Sequence, residues 1–394
     1  MRILIALSRF PYPTEKGDKV RAYYQIKELS RNNEIFLVCL SEFKIKEEHL
    51  AMVRPYVKEV NIIHISLLKR IINLFFGIFN SLPMQVNYFK SHQMKGIVSD
   101  WCQKFKIDVC YVQLVRIVEN IPKLPQVVFF LDYMDAFSEG TRNRSLKSSF
   151  FKRIIYKLES QRLKNYEKQV TNRFEGLSVI TEAEAGFLPE DAQNKLIITP
   201  NGVSDHFFNY PLLGWADKKY DIIFSGNMQF VPNIQAALYL VKKVLPLIIR
   251  DFPTIKICIA GVDPVSEIKA LACNNVVVTG FVEDLGEIMS QSKISVAPMF
   301  SGSGLQNKLL ENMAVGIPLI TSPLSAAPIH ALKDKHLLVA SNEVEFAQNI
   351  KKLLNNEEYA NELGREGQRF VKLNFRWETY NERLENAFKK LLGR

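Results

Sequence analysis

The stretch "KISVAPMFSGSGLQNKLLENMAVGIPLIT" (293–321) reads as a strand, a glycine-rich turn, a helix and a second strand. The runs 293–298 and 317–321 are short and apolar, which suits strands covered on both faces. Between them, 305–314 has helical spacing at 100° per residue. Leu305, Leu309, Leu310, Met313 and Ala314 share one arc, and Asn307, Lys308, Glu311 and Asn312 the opposite one. Gln306 falls among the apolar set but lies in the first turn, beside the glycines. Gly316-Ile317-Pro318 ends the helix and starts the next strand.

The front of this helix has the makings of an anion site. Ser303 is the expected N-cap, and Gly302 and Gly304 let backbone N–H groups approach a ligand closely. A helix N-terminus attracts phosphate, with a dipole contribution of about 0.3–1 kcal/mol when exposed. Glu311 stands roughly 10 Å along the axis at about 1.5 Å per residue. A carboxylate there suits a ribose diol, and Lys308 can neutralise phosphate charge. An ordinary capped helix with a Lys308–Glu311 surface pair fits the same spacing.

Outward from this stretch, the pattern repeats. Apolar runs in the first half fall at 2–8, 34–40, 60–66, 108–113, 127–132, 176–181 and 195–200. In the second half they fall at 221–226, 256–261, 275–280, 293–298 and 317–321. Strands separated by helical stretches predict an α/β chain with parallel sheets in doubly wound domains. Such sheets bind ligands at the carboxyl ends of their strands. The expected organisation is a Rossmann-like domain over 1–200, a linker over 201–220 and a second Rossmann-like domain over 221–374. A closing amphipathic helix over 375–394 is expected to cross back onto the first domain. Its apolar positions are Trp377, Tyr380, Leu384, Phe388 and Leu391.

At 394 residues the chain is long enough for two cores, and its formal charge is +10. Residues 1–200 hold 30 Lys and Arg against 21 Asp and Glu, and the remainder 21 against 20. A basic first half points to an anionic partner or to a merely solvated surface. Cys39, Cys102, Cys110, Cys258 and Cys273 match no metal spacing, and the histidines form no cluster, so a reducing, cytoplasmic setting is expected. The N-terminal "MRILIALSRFPYP" reads as a first buried strand rather than a signal peptide.

Several segments together carry a family resemblance. The helix segment 301–322, following "VVVTGFVEDLGEIMSQSKISVAPMF", resembles the donor half of retaining glycosyltransferase family 4, which has the GT-B fold. "ITPNGVSDHFF" (198–208) is similar to that family's linker signature, and "FSGNMQFVPN" (224–233) to the first strand and turn of its donor domain. "FPYPTEKGDKVRAYYQIKELS" (10–30) resembles the N-terminal glycine loop of members linked to bacterial exopolysaccharide and capsule synthesis, and "FRW" (375–377) the closing helix. The resemblance implies two Rossmann-like domains facing a central cleft. It also implies transfer of a sugar from a nucleoside-diphosphate sugar to a hydroxyl of a glycan or lipid-linked acceptor, with retained anomeric configuration.

By the same resemblance Glu311 holds the ribose as the second glutamate of E-x7-E. The first glutamate falls on Ser303, so the pattern is incomplete. The basic pair that grips the diphosphate falls near Asn227 and Asn233, beside Gly226, and is uncharged. Lys308 and the turn Gly302–Ser303–Gly304–Leu305–Gln306–Asn307 then carry more of that work. Asp132 and Asp135 of "LDYMD" stand about where the family places a first-domain histidine. Gly17 lets backbone approach the donor, and Lys19 or Arg21 meets phosphate or acceptor. No cofactor and no metal are expected, because a helix end and an ammonium can stabilise the departing diphosphate. A non-catalytic sugar-nucleotide or lipid-binding subunit and a GT-B sugar-nucleotide epimerase are the alternatives.

Two segments bear on membranes. In "LLKRIINLFFGIFNSL" (67–82), Lys69, Arg70, Asn73, Gly77, Asn80 and Ser81 gather within about 120° at the helical period, and the rest is apolar. It is too short and polar to span a bilayer. A helix lying in the interface and one buried inside the protein both fit. The basic run 147–168 could add attraction to an anionic membrane surface on the inner face. No aromatic–basic interleaving or nucleic-acid module is present, so nucleic acid is not an expected partner.

Overall fold

The computed structural model describes every residue from 1 to 394 except Lys147, Leu212 and Ser303. The chain divides into two compact units, Met1–Pro200 with Trp377–Arg394, and Asn201–Arg376.

The first unit contains β1 (Arg2–Leu7), β2 (Glu34–Ser41), β3 (Glu59–His64), β4 (Val109–Gln113), β5 (Val128–Met134), β6 (Gly176–Val179) and β7 (Leu196–Ile198). They form one parallel sheet in the order β3-β2-β1-β4-β5-β6-β7. The apolar run of β1 serves both faces. Ile3, Ile5 and Leu7 enter one core, and Leu4 and Ala6 the other. Each such Leu or Ile contributes about 1.5–3 kcal/mol by burial. The helix Trp377–Leu391 completes this unit. Trp377 stacks on Tyr24 at 5.3 Å between ring centroids, and Leu384 and Phe388 join the core of Ile3 and Ile5.

The second unit contains β8 (Tyr220–Ser225), β9 (Ile257–Ala260), β10 (Val276–Gly280), β11 (Ser292–Ala297), β12 (Leu319–Thr321) and β13 (Leu338–Val339). Their order, β10-β9-β8-β11-β12-β13, repeats the logic of the first sheet, and every pairing is parallel. Residues 201–220, read from the sequence as linker, fold onto this unit, where Val203 N–H donates to Phe375 O at 2.8 Å.

All the expected strands are present, with ends displaced by no more than two residues. The two-residue β13 was not expected, because so short a run carries no period. In each sheet the strand order reverses beside the first strand, between β1 and β4 and between β8 and β11. That reversal opens a crevice at the carboxyl ends of these strands.

The helix Leu67–Gly77 is not buried between sheet and neighbours. Its polar side is the packed side. Arg70 donates to Tyr88 Oη at 2.5 Å, Asn73 Nδ2 donates to Lys90 O at 2.9 Å, and Gly77 lies against Asn87 with no room for a Cβ.

Candidate functional site

In the second unit the loop after β8 begins at Gly226, and the loop after β11 runs from 298 to 306. β8 and β11 are paired neighbours, so both loops open at the reversal point. Gly261, after β9, closes on the first loop. A Cβ there would lie 1.7 Å from Gly226 O, so only glycine allows this approach. Gly302 (φ +116°) and Gly304 (φ +72°) adopt backbone conformations that other residues resist. Ser303, the expected cap and family-glutamate position, lies outside the described residues.

The helix begins at Asn307 and runs to Val315, two residues later than expected. Its N-cap position is Gln306, and no side chain caps it. Leu305 and Gln306 therefore belong to the loop. Gln306 Nε2 instead donates to Ser325 Oγ at 2.8 Å, anchoring the turn to the segment after β12. Asn307 Oδ1 accepts from Asn201 Nδ2 at 3.1 Å. First-turn N–H groups of a helix have no partner inside it, so this uncapped end can donate to an anion.

Lys308 and Glu311 both sit half-buried on the same side of this helix but do not form an ion pair. Lys308 Nζ donates to Asn233 Oδ1 at 2.5 Å and lies 4.7 Å from the centroid of the Phe224 ring. Asn233 Nδ2 in turn donates to Asn227 O at 2.9 Å, and Asn227 Oδ1 accepts from Gln229 N–H at 2.9 Å. The two asparagines thus hold the β8 loop and steady the lysine. Glu311 makes no hydrogen bond or ion pair among the described residues. Burial pushes its carboxyl up to about 7, against the pull of Lys308. Burial pushes the Lys308 ammonium down to about 7, against the pull of Glu311. An arriving diphosphate would restore the charge on Lys308.

Asn312 departs from the expectation that it shares this polar face. It is buried, its Nδ2 donates to Lys308 O at 2.6 Å, and its Oδ1 has no partner.

At the reversal point of the first sheet, the helix Gly17–Leu29 starts after β1. Gly17 is exposed, and a Cβ there would meet nothing within 4 Å, so the fold itself does not require glycine. Asp18 bridges Arg9 and Arg116, with Oδ2 at 3.1 and 2.6 Å from their guanidinium nitrogens. Burial raises its carboxyl, but the two arginines outweigh that and hold it below the ordinary range. Lys19 is half-buried at this helix start, and burial pushes its ammonium down.

Arg21 does not meet a ligand. It and Asp132 are both 0% exposed and pair at 2.6 Å and 3.1 Å through two nitrogens. Arg21 also donates to Thr199 O and Oγ1, each at 2.7 Å. Asp132 accepts further from Tyr111 Oη at 2.7 Å and Ser178 Oγ at 2.9 Å. Removing Arg21 would leave a buried charge alone, so its loss is expected to cost stability. Asp132 is likewise a structural group, because none of its surface reaches solvent.

Asp135, the residue after the strained Met134 (φ +61°), remains partly accessible. Burial pushes its carboxyl up to about 6, with Arg21 opposing and Asp132 adding. Strain of this kind at a strand end is common at functional sites.

Sequence reasoning read Asn201 only as part of the linker signature, without its contact to Asn307, and missed Ser325, Gly261 and the Asp18–Arg116 pair. The glycine ending "KICIAG" (256–261) is a visible signal for Gly261; the others depend on contacts across long sequence separations.

Residues 219–356 match the family model described as "Glycosyl transferases group 1". An "Uncharacterized 44.6 kDa protein in cps region" of Klebsiella pneumoniae is 23% identical over 363 residues, spanning 89% of this chain and 90% of its own. Among solved structures, a glycosyltransferase from Rickettsia africae ESF-5 superposes with a TM-score of 0.69 at 13% identity, over 99% of this chain and 98% of that one. Anabaena Alr3699/HepE in complex with UDP-glucose does so with a TM-score of 0.66 at 11% identity, over 99% of this chain and 100% of that one. The chain therefore has the GT-B fold. The family match over the second unit supports a glycosyltransferase.

Proposed function

We propose that this chain is a retaining glycosyltransferase of family 4. On this reading it moves a sugar from a nucleoside-diphosphate sugar to a hydroxyl of a glycan or lipid-linked acceptor in surface polysaccharide synthesis. The observation that carries the reading is the free carboxylate of Glu311, behind an uncapped helix start framed by Gly302 and Gly304. The diphosphate would sit at the Asn307 end, with the ribose hydroxyls on Glu311. Lys308 and the helix N–H groups would stabilise the charge that builds on the leaving diphosphate. Asp135 is the candidate in the first unit for orienting the acceptor hydroxyl.

The UDP-glucose bound by the Anabaena protein and the cps context of the Klebsiella relative support this substrate class. Five free cysteines fit a reducing, cytoplasmic setting. The reading needs no metal, since Lys308 and the helix end supply the positive charge, so turnover is expected to survive chelators.

The test is calorimetric titration of the full chain with UDP, GDP, ADP and TDP and their sugars, together with donor hydrolysis. Binding of one nucleotide that is weakened in E311Q supports the reading; no binding of any overturns it. A second reading, a sugar-nucleotide-binding subunit without catalysis, draws on the internal consumption of Arg21 and Asp132. Tight donor binding without hydrolysis or transfer would favour it.

A further inference from the structure

The first unit carries two amphipathic helices turned the wrong way round for a protein in water alone. On Leu67–Gly77 and the turn after it, the apolar half faces out, with Leu68, Phe75, Phe76 and Phe79 exposed. Phe79 is 77% exposed. The polar side, as described above, is spent on Tyr88, Lys90 and Asn87. On Phe150–Thr171, Glu159, Leu163, Tyr166 and Val170 pack inward, while Phe150, Phe151, Ile155 and Leu158 face out. The short helix Met84–Tyr88, which packs on the first of them, links to the second, where Gln85 N–H donates to Glu159 Oε1 at 3.4 Å beside the exposed Met84. A monomer in water rarely leaves so many large apolar side chains exposed together.

The charge around these faces identifies the occupant. No acidic residue stands between Glu59 and Asp100. On Phe150–Thr171 both acids, Glu159 and Glu167, are buried, whereas Lys152, Arg153, Lys157, Lys164 and Lys168 are exposed. Every exposed charge of that helix is therefore positive. Among the described residues no helix is long and apolar enough to cross a membrane. We infer that these two helices form a docking face for an anionic lipid bilayer. The phenylalanines enter the interfacial layer, and the lysines and arginines pair with headgroup phosphates.

The inference does not depend on the donor site, because vesicle binding needs no nucleotide sugar. The full chain is floated with vesicles of phosphatidylcholine, with and without phosphatidylglycerol. Binding to the anionic vesicles at low salt is expected, and high salt should weaken it. Since Phe75, Phe79 and Phe151 are exposed, F75S/F79S/F151S should keep its thermal midpoint and bind at least ~10-fold more weakly. K152E/R153E/K157E should lose the preference for anionic over neutral vesicles. Failure to bind anionic vesicles at low salt overturns the inference. So does undiminished binding by both variants. A dimer in sedimentation that the serine variant dissolves, without vesicle binding, assigns the face to a second copy and also overturns it.

Discussion

The reversal points of the two sheets each bring a basic side chain near a carboxylate, and the two pairs behave oppositely. In the first unit Arg21 and Asp132 are sealed from solvent and bonded to each other, to Thr199, to Tyr111 and to Ser178. In the second unit Lys308 and Glu311 share a helix side, lie half-buried and are not ion-paired with each other. The sealed pair fastens the helix after β1 to β5 and to Thr199, at the end of the first unit. The open pair keeps an ammonium and a carboxylate available to a ligand. A charged pair at a binding end of a sheet is thus not a site by position alone; what decides is whether its hydrogen-bonding capacity is already used.

The contrast is easiest to break at the sealed pair. Arg21→Ala should lower unfolding free energy by about 3–5 kcal/mol, because Asp132 is left buried without its cation. Urea denaturation of the full chain measures it. An R21M/D132L double variant should regain much of the loss, and failure to regain it would point to a role beyond the lock.

The open pair should respond in function instead. Lys308→Met should lower turnover by about 10²–10³-fold with little change in thermal midpoint, if it stabilises the leaving diphosphate. Steady-state rates at saturating donor decide this. Glu311→Gln should weaken nucleotide binding by about 10-fold, since a hydrogen bond to a charged acceptor contributes about 1.5–3 kcal/mol. Its stability should hold or rise, as an unpaired half-buried carboxylate is removed. Loss of stability comparable to that of Arg21→Ala would erase the contrast.

The smallest effect is in pH. Lys308 free of ligand titrates near 7, so binding an anion should weaken as pH rises above about 7 and the ammonium deprotonates. Glu311 also titrates near 7, so its grip on hydroxyls should weaken as pH falls below about 7 and the carboxyl protonates. Affinity measured across pH should therefore peak near neutrality, and Glu311→Gln should remove the acidic limb alone.

The fold was largely legible because fully buried parallel strands announce themselves as apolar runs. The run 2–8 is β1 almost residue for residue, and 293–298 is β11 shifted by one. The site was legible only where it is local. The glycines, Lys308 and Glu311 stand within one turn-and-helix segment, so their grouping can be read from spacing alone. The helix start was misplaced because Gln306 uses its side chain on Ser325, a contact no short window shows. Asn312 was misread as outward because helical period alone does not tell a buried amide from a surface one. Arg21 and Asp132, 111 residues apart, carried no mark in the sequence of being each other's partner.

The helix Trp377–Leu391 has a consequence for how the protein is made. Phe388 packs on Phe130 at 5.1 Å between ring centroids, in a core otherwise built from early segments of the chain. During synthesis that core waits, with Phe130 and Tyr24 uncovered, until the ribosome has passed the whole second unit. A product halted at residue 376 is therefore expected to be caught by chaperones or proteases, even though the entire first sheet has been translated.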